Sequence, residues 1–440
     1  MQSRLSRRTY LKTAAATVGS AMILPAGLAR GYAANEKIHI GIIGAGGRGG
    51  ANMMACAGEN IVALCDVDEN RLGRAAARFP QARKYFDFRK LLETEKDLDA
   101  VVVSTPDNCH APASVMAMKL GLHVYCEKPL THSVHEARVM TTVAAEQKVV
   151  TQMGTQFSCF EHNFRTVELL QAGVIGPVRE VHVWVGNPLW PQGQDRPKGE
   201  DPIPPHLHWS EWIGPAPMRP FKDKYTSGPL QGKPVYHPFV WRGWWDFGTG
   251  LLGDGCCHQC NVIFWALKLG SPTSVEAESS GMPSESFPEW SIIRYQFPGE
   301  GDQPPVKLVW YEGGKMPPAE VLPEGKVSSG SPLFIGEKGQ LYCNPPMLFP
   351  RKDYADYEPP EPTIPRRTEV HEDWLNAIKN GTQPGCHFGH AGPMAESLLL
   401  GNVALKVGQK IEWDSKAFRV TNCPEANQYL KRDYRAGWGL

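Results

Sequence analysis

The sequence predicts an α/β fold whose N-terminal part is a doubly wound parallel sheet. Three observations carry that expectation. Apolar, β-branched runs recur between residues 37 and 153, helical stretches alternate with them, and a glycine-rich turn follows the first run directly. The runs are Ile38–Ile43, Ile61–Cys65, Ala100–Val103, His123–Cys126 and Val149–Met153. They are nearly unbroken, as strands buried on both faces should be. Helical patterns fill the gaps at Glu69–Phe79 and Ala111–Leu120. A third helix opens with Ser133-Val134-His135-Glu136, a capping-box spacing that satisfies free backbone N–H groups. Strand–helix alternation of this kind winds into a parallel sheet.

The glycine turn reads Gly44-Ala45-Gly46-Gly47-Arg48-Gly49 and fits G-x-G-x-x-G between a strand and a helix. Gly44 permits the tight turn, Gly46 lets backbone approach a pyrophosphate, and Gly49 lets helix and strand pack closely. Asp66 ends the second strand, 22 residues after Gly44. A carboxylate there binds both ribose hydroxyls and repels a 2′-phosphate, so NAD is expected as cofactor rather than NADP.

Past residue 155 the texture changes. Strands such as Glu180–Val185 and Ser291–Phe297 have mixed patterns, and the stretch from Pro188 to Pro238 holds 12 prolines. Proline lacks the N–H that helix interiors and central strands use. This stretch is therefore expected to be a long surface excursion that lines a site or contacts a neighbouring subunit. Helical patterns return at His371–Asn380 and Ala391–Val407, with Gly381 and Gly408 as C-terminal stops. The chain is thus expected to divide into 35–155 and 156–440.

Composition bounds the function. The 440 residues carry 46 basic and 46 acidic side chains, a balance that excludes a general nucleic-acid binder. No apolar stretch reaches the ~20 residues of a membrane-spanning helix. Residues 1–34 hold five bases and no acid. There Arg7-Arg8 precedes an apolar run and small residues near Ala33, the layout of a twin-arginine signal peptide. Export to the periplasm is expected. The 11 cysteines are not spaced as a disulfide framework, which suits a protein folded in a reducing compartment first. Cys257 and Cys260 resemble half a zinc site, but no second pair follows, so no metal is expected.

Together with the loop at 44–49, Thr105-Pro106 and Glu127-Lys128-Pro129 resemble elements of the glucose–fructose oxidoreductase/inositol dehydrogenase (Gfo/Idh/MocA) family. In the second half, Gly253-Asp254-Gly255-Cys256-Cys257-His258 resembles that family's D-x-x-x-H element. Trp241–Gly250 and Tyr434-Arg435-Ala436-Gly437-Trp438 look like an exported bacterial branch. The resemblance implies an N-terminal Rossmann domain and a C-terminal α+β domain with a large, open, mostly antiparallel sheet. It also implies a homo-oligomer (dimer or tetramer) and a carbohydrate or cyclitol substrate. By the same resemblance Lys128 holds the nicotinamide ribose and the reacting hydroxyl, Asp254 orients substrate and His258 is the general base. Thr105, Pro106, Asn108 and Glu127 would face the cofactor, His110 either lies near the nicotinamide or simply begins a helix, and Gln156 stands where the family places a cofactor- or substrate-facing polar residue. Gln156-Phe157-Ser158 departs from the family's commoner arginine-containing form.

The residues themselves agree with this chemistry. Oxidising a secondary alcohol needs a base for the O–H proton, and the unperturbed pKa of histidine, ~6.5, suits that task. Asp254 and His258 lie four apart and share a helix face, and Lys128 would stabilise a developing alkoxide. On spacing alone, Asp254 could equally cap a helix and His258 fill a core. Tyr236, His237, Trp241, Arg242 and Trp245 crowd into ten positions. Such rings stack on sugars while Arg binds hydroxyls or a carboxylate, or the group forms an aromatic core.

An exported NAD enzyme lacks an obvious pool to exchange its cofactor with, so the cofactor is expected to stay bound and be regenerated in each turnover. The expected function is NAD-dependent hydride transfer at a sugar or cyclitol hydroxyl. Redox-neutral glycoside cleavage by transient oxidation and elimination is the alternative. A catalytically inactive sugar-binding protein is a second alternative, against which Lys128, Asp254 and His258 count.

Overall fold

The computed structural model describes residues 36–301, 303–325 and 327–440. The expected signal segment, 1–34, lies outside the described residues. The N-terminal sheet has six strands in the order β3-β2-β1-β4-β5-β6, all parallel. They are β1 (His39–Ile43), β2 (Asn60–Cys65), β3 (Arg83–Tyr85), β4 (Ala100–Val103), β5 (His123–Cys126) and β6 (Thr151–Met153). Helices α1 (Arg48–Ala55), α2 (Glu69–Arg78), α3 (Phe88–Thr94), α4 (His110–Lys119) and α5 (Val134–Gln147) connect them. Ile40, Ile42, Leu64 and Val102 pack with Met53 of α1 and Leu72 of α2, while Val101, Val103 and Val124 belong to the core containing α4 and α5. Both faces are covered, which accounts for the unbroken apolar strands. The capping box at the start of α5 is formed by Ser133 and Glu136.

Beyond α6 (Glu161–Gln171), the second sheet has nine strands in the order β13-β12-β11-β7-β10-β9-β8-β14-β15. These are β7 (Val178–Trp184), β8 (Ser274–Ser279), β9 (Ser291–Phe297), β10 (Val306–Glu312), β11 (Leu333–Gly336), β12 (Gln340–Tyr342), β13 (Met347–Phe349), β14 (Ile411–Asp414) and β15 (Arg419–Val420). Only β7 and β10 run parallel; every other pair is antiparallel. The long helix α8 (Gly250–Leu267), numbered after the short α7 (Trp209–Ile213), packs beside this sheet.

Two features differ from the sequence expectation. Residues 188–248 are no loose excursion. Trp209, Trp212, Tyr236, Trp244 and Phe247 form a separate aromatic core there, so rings supply the burial that periodic helices or strands would otherwise supply. Backbone bonds tie this layer to the N-terminal domain: His208 N–H donates to Val67 O, Glu69 N–H to His206 O, and Asn108 N–H to Phe247 O. The chain also crosses back over the boundary at 155. Helix α9 (Val370–Asn380) packs Trp374 and Ile378 onto the N-terminal sheet, while α10 (Phe388–Val407) lies along α5. There Arg138 Nε and Nη2 each donate to Glu396 at 2.6 Å. Gly381 and Gly408 end these helices in the left-handed region, at φ 65° in both cases.

The segment leading into α9 is anchored on Glu168 of α6. Its carboxylate accepts from Thr363 N, Ile364 N, Arg366 Nη1 and Arg165 Nη1 at 2.6–2.9 Å. Arg366 and these N–H groups hold its pKa down at about 2. An unfolded glutamate protonates near ~4.3, so this stabilisation is complete above that pH and is lost as pH falls towards 2. Glu168→Gln turns an NH2 towards those donors. It should lower the melting temperature at neutral pH by a few degrees and flatten the acid limb between about pH 4.5 and 2, both read by calorimetry.

Candidate active site

The glycine turn follows β1 without a break. A Cβ on Gly44, which sits at φ 86°, would come within 2.6 Å of Ser104 O, and one on Gly49 would overlap Gly44 O. The turn therefore requires glycine at both positions. Gly47 caps α1 with no side-chain acceptor, which leaves the helix N-terminal donors for an anion. Asp66 ends β2 and accepts from Ala45 N at 3.0 Å, Gly46 N at 2.9 Å and Asp68 N at 3.0 Å. It thus shapes the turn as well as offering lone pairs to a ribose. Burial raises its pKa, against the N–H groups and Arg71. This cradle fits a dinucleotide.

Glu127 joins the turn to the reaction centre. Buried at the end of β5, it accepts from Arg48 Nε at 3.1 Å and Asn52 Nδ2 at 3.0 Å, both on α1. Asn52 is held in turn by His371 of α9 at 3.1 Å. The next residue, Lys128, enters the cleft. Its Nζ lies 2.9 Å from Asp254 Oδ1 and donates to Asp254 O at 3.3 Å. Arg242 Nε donates to the same Oδ1 at 3.0 Å. Burial would discharge Lys128, but the Asp254 carboxylate outweighs it and raises its pKa. Burial likewise acts to protonate Asp254, yet Lys128 and Arg242 prevail and lower its pKa.

His258 lies one turn beyond Asp254 on α8. Its Nδ1 is 2.7 Å from Thr155 Oγ1, and its ring stacks on Phe157 at 4.7 Å. The Thr155 hydroxyl can accept from Nδ1 or donate to it, and Nε2 is the basic nitrogen in the tautomer in which Nδ1 donates. Burial, then Lys128, pushes its pKa down to about 3. The imidazole is neutral at pH 7 and has a free lone pair, but a pKa this low makes it a weaker base than an unperturbed histidine.

The glycine turn, Asp66, Glu127, Lys128 and Arg242 border one open cleft with a cavity of about 290 Å³, and His258 is not among its lining residues. Of the sequence candidates, Gly44, Gly46, Gly47, Arg48, Asp66, Thr105, Pro106, Glu127, Lys128, His237, Trp241 and Arg242 line it. Asp254 stands behind Lys128 and Arg242.

Other candidates sit elsewhere. His110 is buried and bridges Pro129 O at 2.7 Å and Thr105 O at 3.0 Å, which requires both ring nitrogens to donate. Burial opposes that charge, but Cys126 and the two carbonyls raise the pKa to about 9. It positions the Thr105 and Lys128 loops rather than meeting the cofactor. Asn108 is buried and donates to Ile213 O. Gln156 donates to the nearby Gly154 O. Tyr236 belongs to the aromatic core, and Trp245 stacks on Phe287 at 4.8 Å, away from the cleft. Of the two zinc-like cysteines, Cys257 Sγ donates to Asp254 O and Cys260 Sγ faces Cys256 Sγ at 3.2 Å.

The structure adds residues that spacing did not single out. Phe239 and Trp212 line the cleft, and so does Trp438 from the C-terminal strap. Along that strap Arg432 Nη2 donates to Asn108 O, Tyr434 Oη to Glu136 and Arg435 Nη2 to Ser210 O, while Gly437 O accepts from Arg89 Nη1. Asp107, inside the Thr105–Asn108 stretch, is 1% exposed. Its Oδ2 accepts from Thr249 Oγ1 at 2.8 Å, and its Oδ1 has no partner among the described residues.

Comparison with known proteins accords with this architecture. Residues 38–155 match the family model described as "Oxidoreductase family, NAD-binding Rossmann fold", and residues 183–440 match "Oxidoreductase family, C-terminal alpha/beta domain". The chain belongs to the Gfo/Idh/MocA oxidoreductase family. A glycosyl hydrolase family 109 protein of Solibacter usitatus is 32% identical over 195 residues, 39% of this chain and 44% of that protein. Inositol 2-dehydrogenase 4 of Saccharopolyspora erythraea is 31% identical over 36% of this chain and 48% of its own length. These matches thus span less than half of either relative. Among solved structures, the WlbA dehydrogenase of Bordetella pertussis, in complex with NADH and UDP-GlcNAcA, shares the fold. Its TM-score is 0.58 at 18% identity, covering 86% of this chain and 99% of that one. The aldose-aldose oxidoreductase of Caulobacter crescentus has a TM-score of 0.54 at 17% identity, covering 86% and 100%. As a Gfo/Idh/MocA protein the chain has an NAD-binding Rossmann domain.

Burial, then the neighbouring Asp254 charge, pushes the Asp107 pKa up to about 7. The unfolded group releases its proton near ~3.9. Stability is therefore lost as pH rises from about 4 to 7. Asp107→Asn stays neutral throughout. Its melting temperature should vary less over that range and exceed that of the unsubstituted protein above pH 7; equal slopes would show that Asp107 ionises normally.

Proposed function

We propose that this protein oxidises a secondary hydroxyl of a sugar or cyclitol. The observation that carries the reading is the placement of a charged Lys128 in the cleft wall, fixed by Asp254, one helical turn from a neutral His258. Bound nicotinamide supplies the hydride acceptor. Lys128 donates to the reacting oxygen and stabilises the charge that develops on it. His258 Nε2 takes the hydroxyl proton, with Thr155 fixing the ring. Asp254 keeps both cations in place and acts through them. Arg242, Trp241 and Phe239 hold the sugar ring. The named activities of the inositol 2-dehydrogenase and aldose-aldose oxidoreductase relatives support this substrate class.

A second reading is redox-neutral glycoside cleavage, favoured by the 32% identity to a glycosyl hydrolase family 109 protein. The Arg7-Arg8 segment supports the further proposal of export to the periplasm with the cofactor retained, and the family resemblance supports a homo-oligomer.

Two measurements test these readings. The NAD-loaded protein is given myo-inositol, aldoses and their glycosides while nicotinamide absorbance and free reducing sugar are followed. Accumulating NADH supports net oxidation, reducing sugar without NADH supports the glycosidase, and neither product from any of them rejects both. His258→Ala should retain NAD, quantified by mass spectrometry after denaturation, but lose about 10²-fold or more in turnover. Near-normal turnover would remove His258 as the base.

A further inference from the structure

We propose that the sugar this cleft accepts carries a carboxylate, as a uronic acid or uronide does, and that the unpaired edge of Arg242 binds it. The inference rests on the reading above that the cleft binds a sugar, and it specifies which kind.

Arg242 is held before any ligand arrives. Its Nε is committed to Asp254, and its Nη1 donates to Phe239 O at 3.1 Å. The guanidinium lies 4.2 Å from the Trp241 ring centre and 4.5 Å from that of Phe239. Among the described residues nothing accepts from Nη2, yet the side chain lines the cleft. A planar fork with fixed orientation and spare donors matches a carboxylate in geometry and charge. Because its rotamer is already set, little side-chain entropy is lost on binding.

The local charge favours an anion over a neutral hydroxyl. Lys128 and Arg242 both converge on Asp254 Oδ1, so one carboxylate faces two cations. Of the other carboxyls beside them, Glu127 is already paired with Arg48 and Asn52, and Asp107 is shut away from solvent and pushed towards its neutral form by burial and by Asp254. The oxidised nicotinamide ring is itself cationic and adds to the surplus. While water fills the cleft, that surplus is hydrated. A sugar that displaces the water must replace its solvation, and a neutral sugar leaves a buried cation without a counter-charge. Trp241 and Phe239 give the apolar surface on which a pyranose ring stacks.

The experiment uses the full, NAD-loaded protein. D-glucuronate, D-galacturonate and methyl β-D-glucuronide are titrated by calorimetry against D-glucose, methyl β-D-glucoside and glucose 6-phosphate, and nicotinamide absorbance is followed in parallel. The uronates should bind at least ~10-fold more tightly than the neutral sugars, and Arg242→Gln should abolish the difference. Arg242→Lys, which keeps the charge without the fork, should lose most of it, and serves if the Gln variant does not fold.

Equal or tighter binding of neutral sugars that reduce the nicotinamide would overturn the carboxylate site and leave the oxidoreductase reading intact. Preference for the phosphate, or a uronate preference untouched in both Arg242 variants, would also overturn it. Uronate binding without reduction would uphold the site and fail the redox reading. No binding and no reduction with any sugar would reject both.

Discussion

One carboxylate oxygen, Asp254 Oδ1, holds together three separate parts of the chain. Lys128 reaches it from the end of β5, Arg242 from the aromatic layer, and Asp254 itself comes from α8. Removing that oxygen would leave two cations facing each other in a half-buried cleft, so the geometry of the cluster depends on it. A buried ion cluster of this kind adds little net stability, because desolvation consumes most of the Coulombic gain. Its value lies in position. The cluster sets where a positive charge stands relative to the His258 lone pair.

A second network carries that precision to the dinucleotide. Glu127 and Lys128 are sequence neighbours whose side chains serve different partners, one gripping α1 below the glycine turn and the other reaching Asp254. The peptide between them mechanically links the cofactor cradle to the reaction centre. Helix α9, from the far end of the chain, supports the same point through His371 and Asn52. The two halves of the protein therefore share one site rather than facing each other across it.

Much of this was legible in the sequence. Five of the six N-terminal strands announce themselves because burial on both faces makes them continuously apolar. The sixth, Arg83-Lys84-Tyr85, is a short edge strand with exposed polar side chains, and no hydrophobic pattern can reveal it. The glycine turn, Glu127-Lys128 and Asp254…His258 are legible because their chemistry is bound to local spacing. The crowded aromatic segment was legible only as a cluster. Its division between core (Tyr236), cleft (Trp241, Arg242) and neither (Trp245) depends on tertiary packing that spacing does not encode. Trp438 belongs to a stretch the resemblance singles out and Asp107 to none, and each gains its meaning from a distant partner, Asp107 from Thr249, 142 residues on, and Trp438 from Phe88.

The C-terminal strap couples the cleft to the rest of the fold. Trp438 stands in the cleft wall, and Arg432, Tyr434 and Arg435 hold it there by bonding to Asn108, Glu136 and Ser210. Loosening the strap and opening that wall are therefore one event. By thermodynamic linkage, any molecule that seats against Trp438 adds its binding free energy to the docking of the strap.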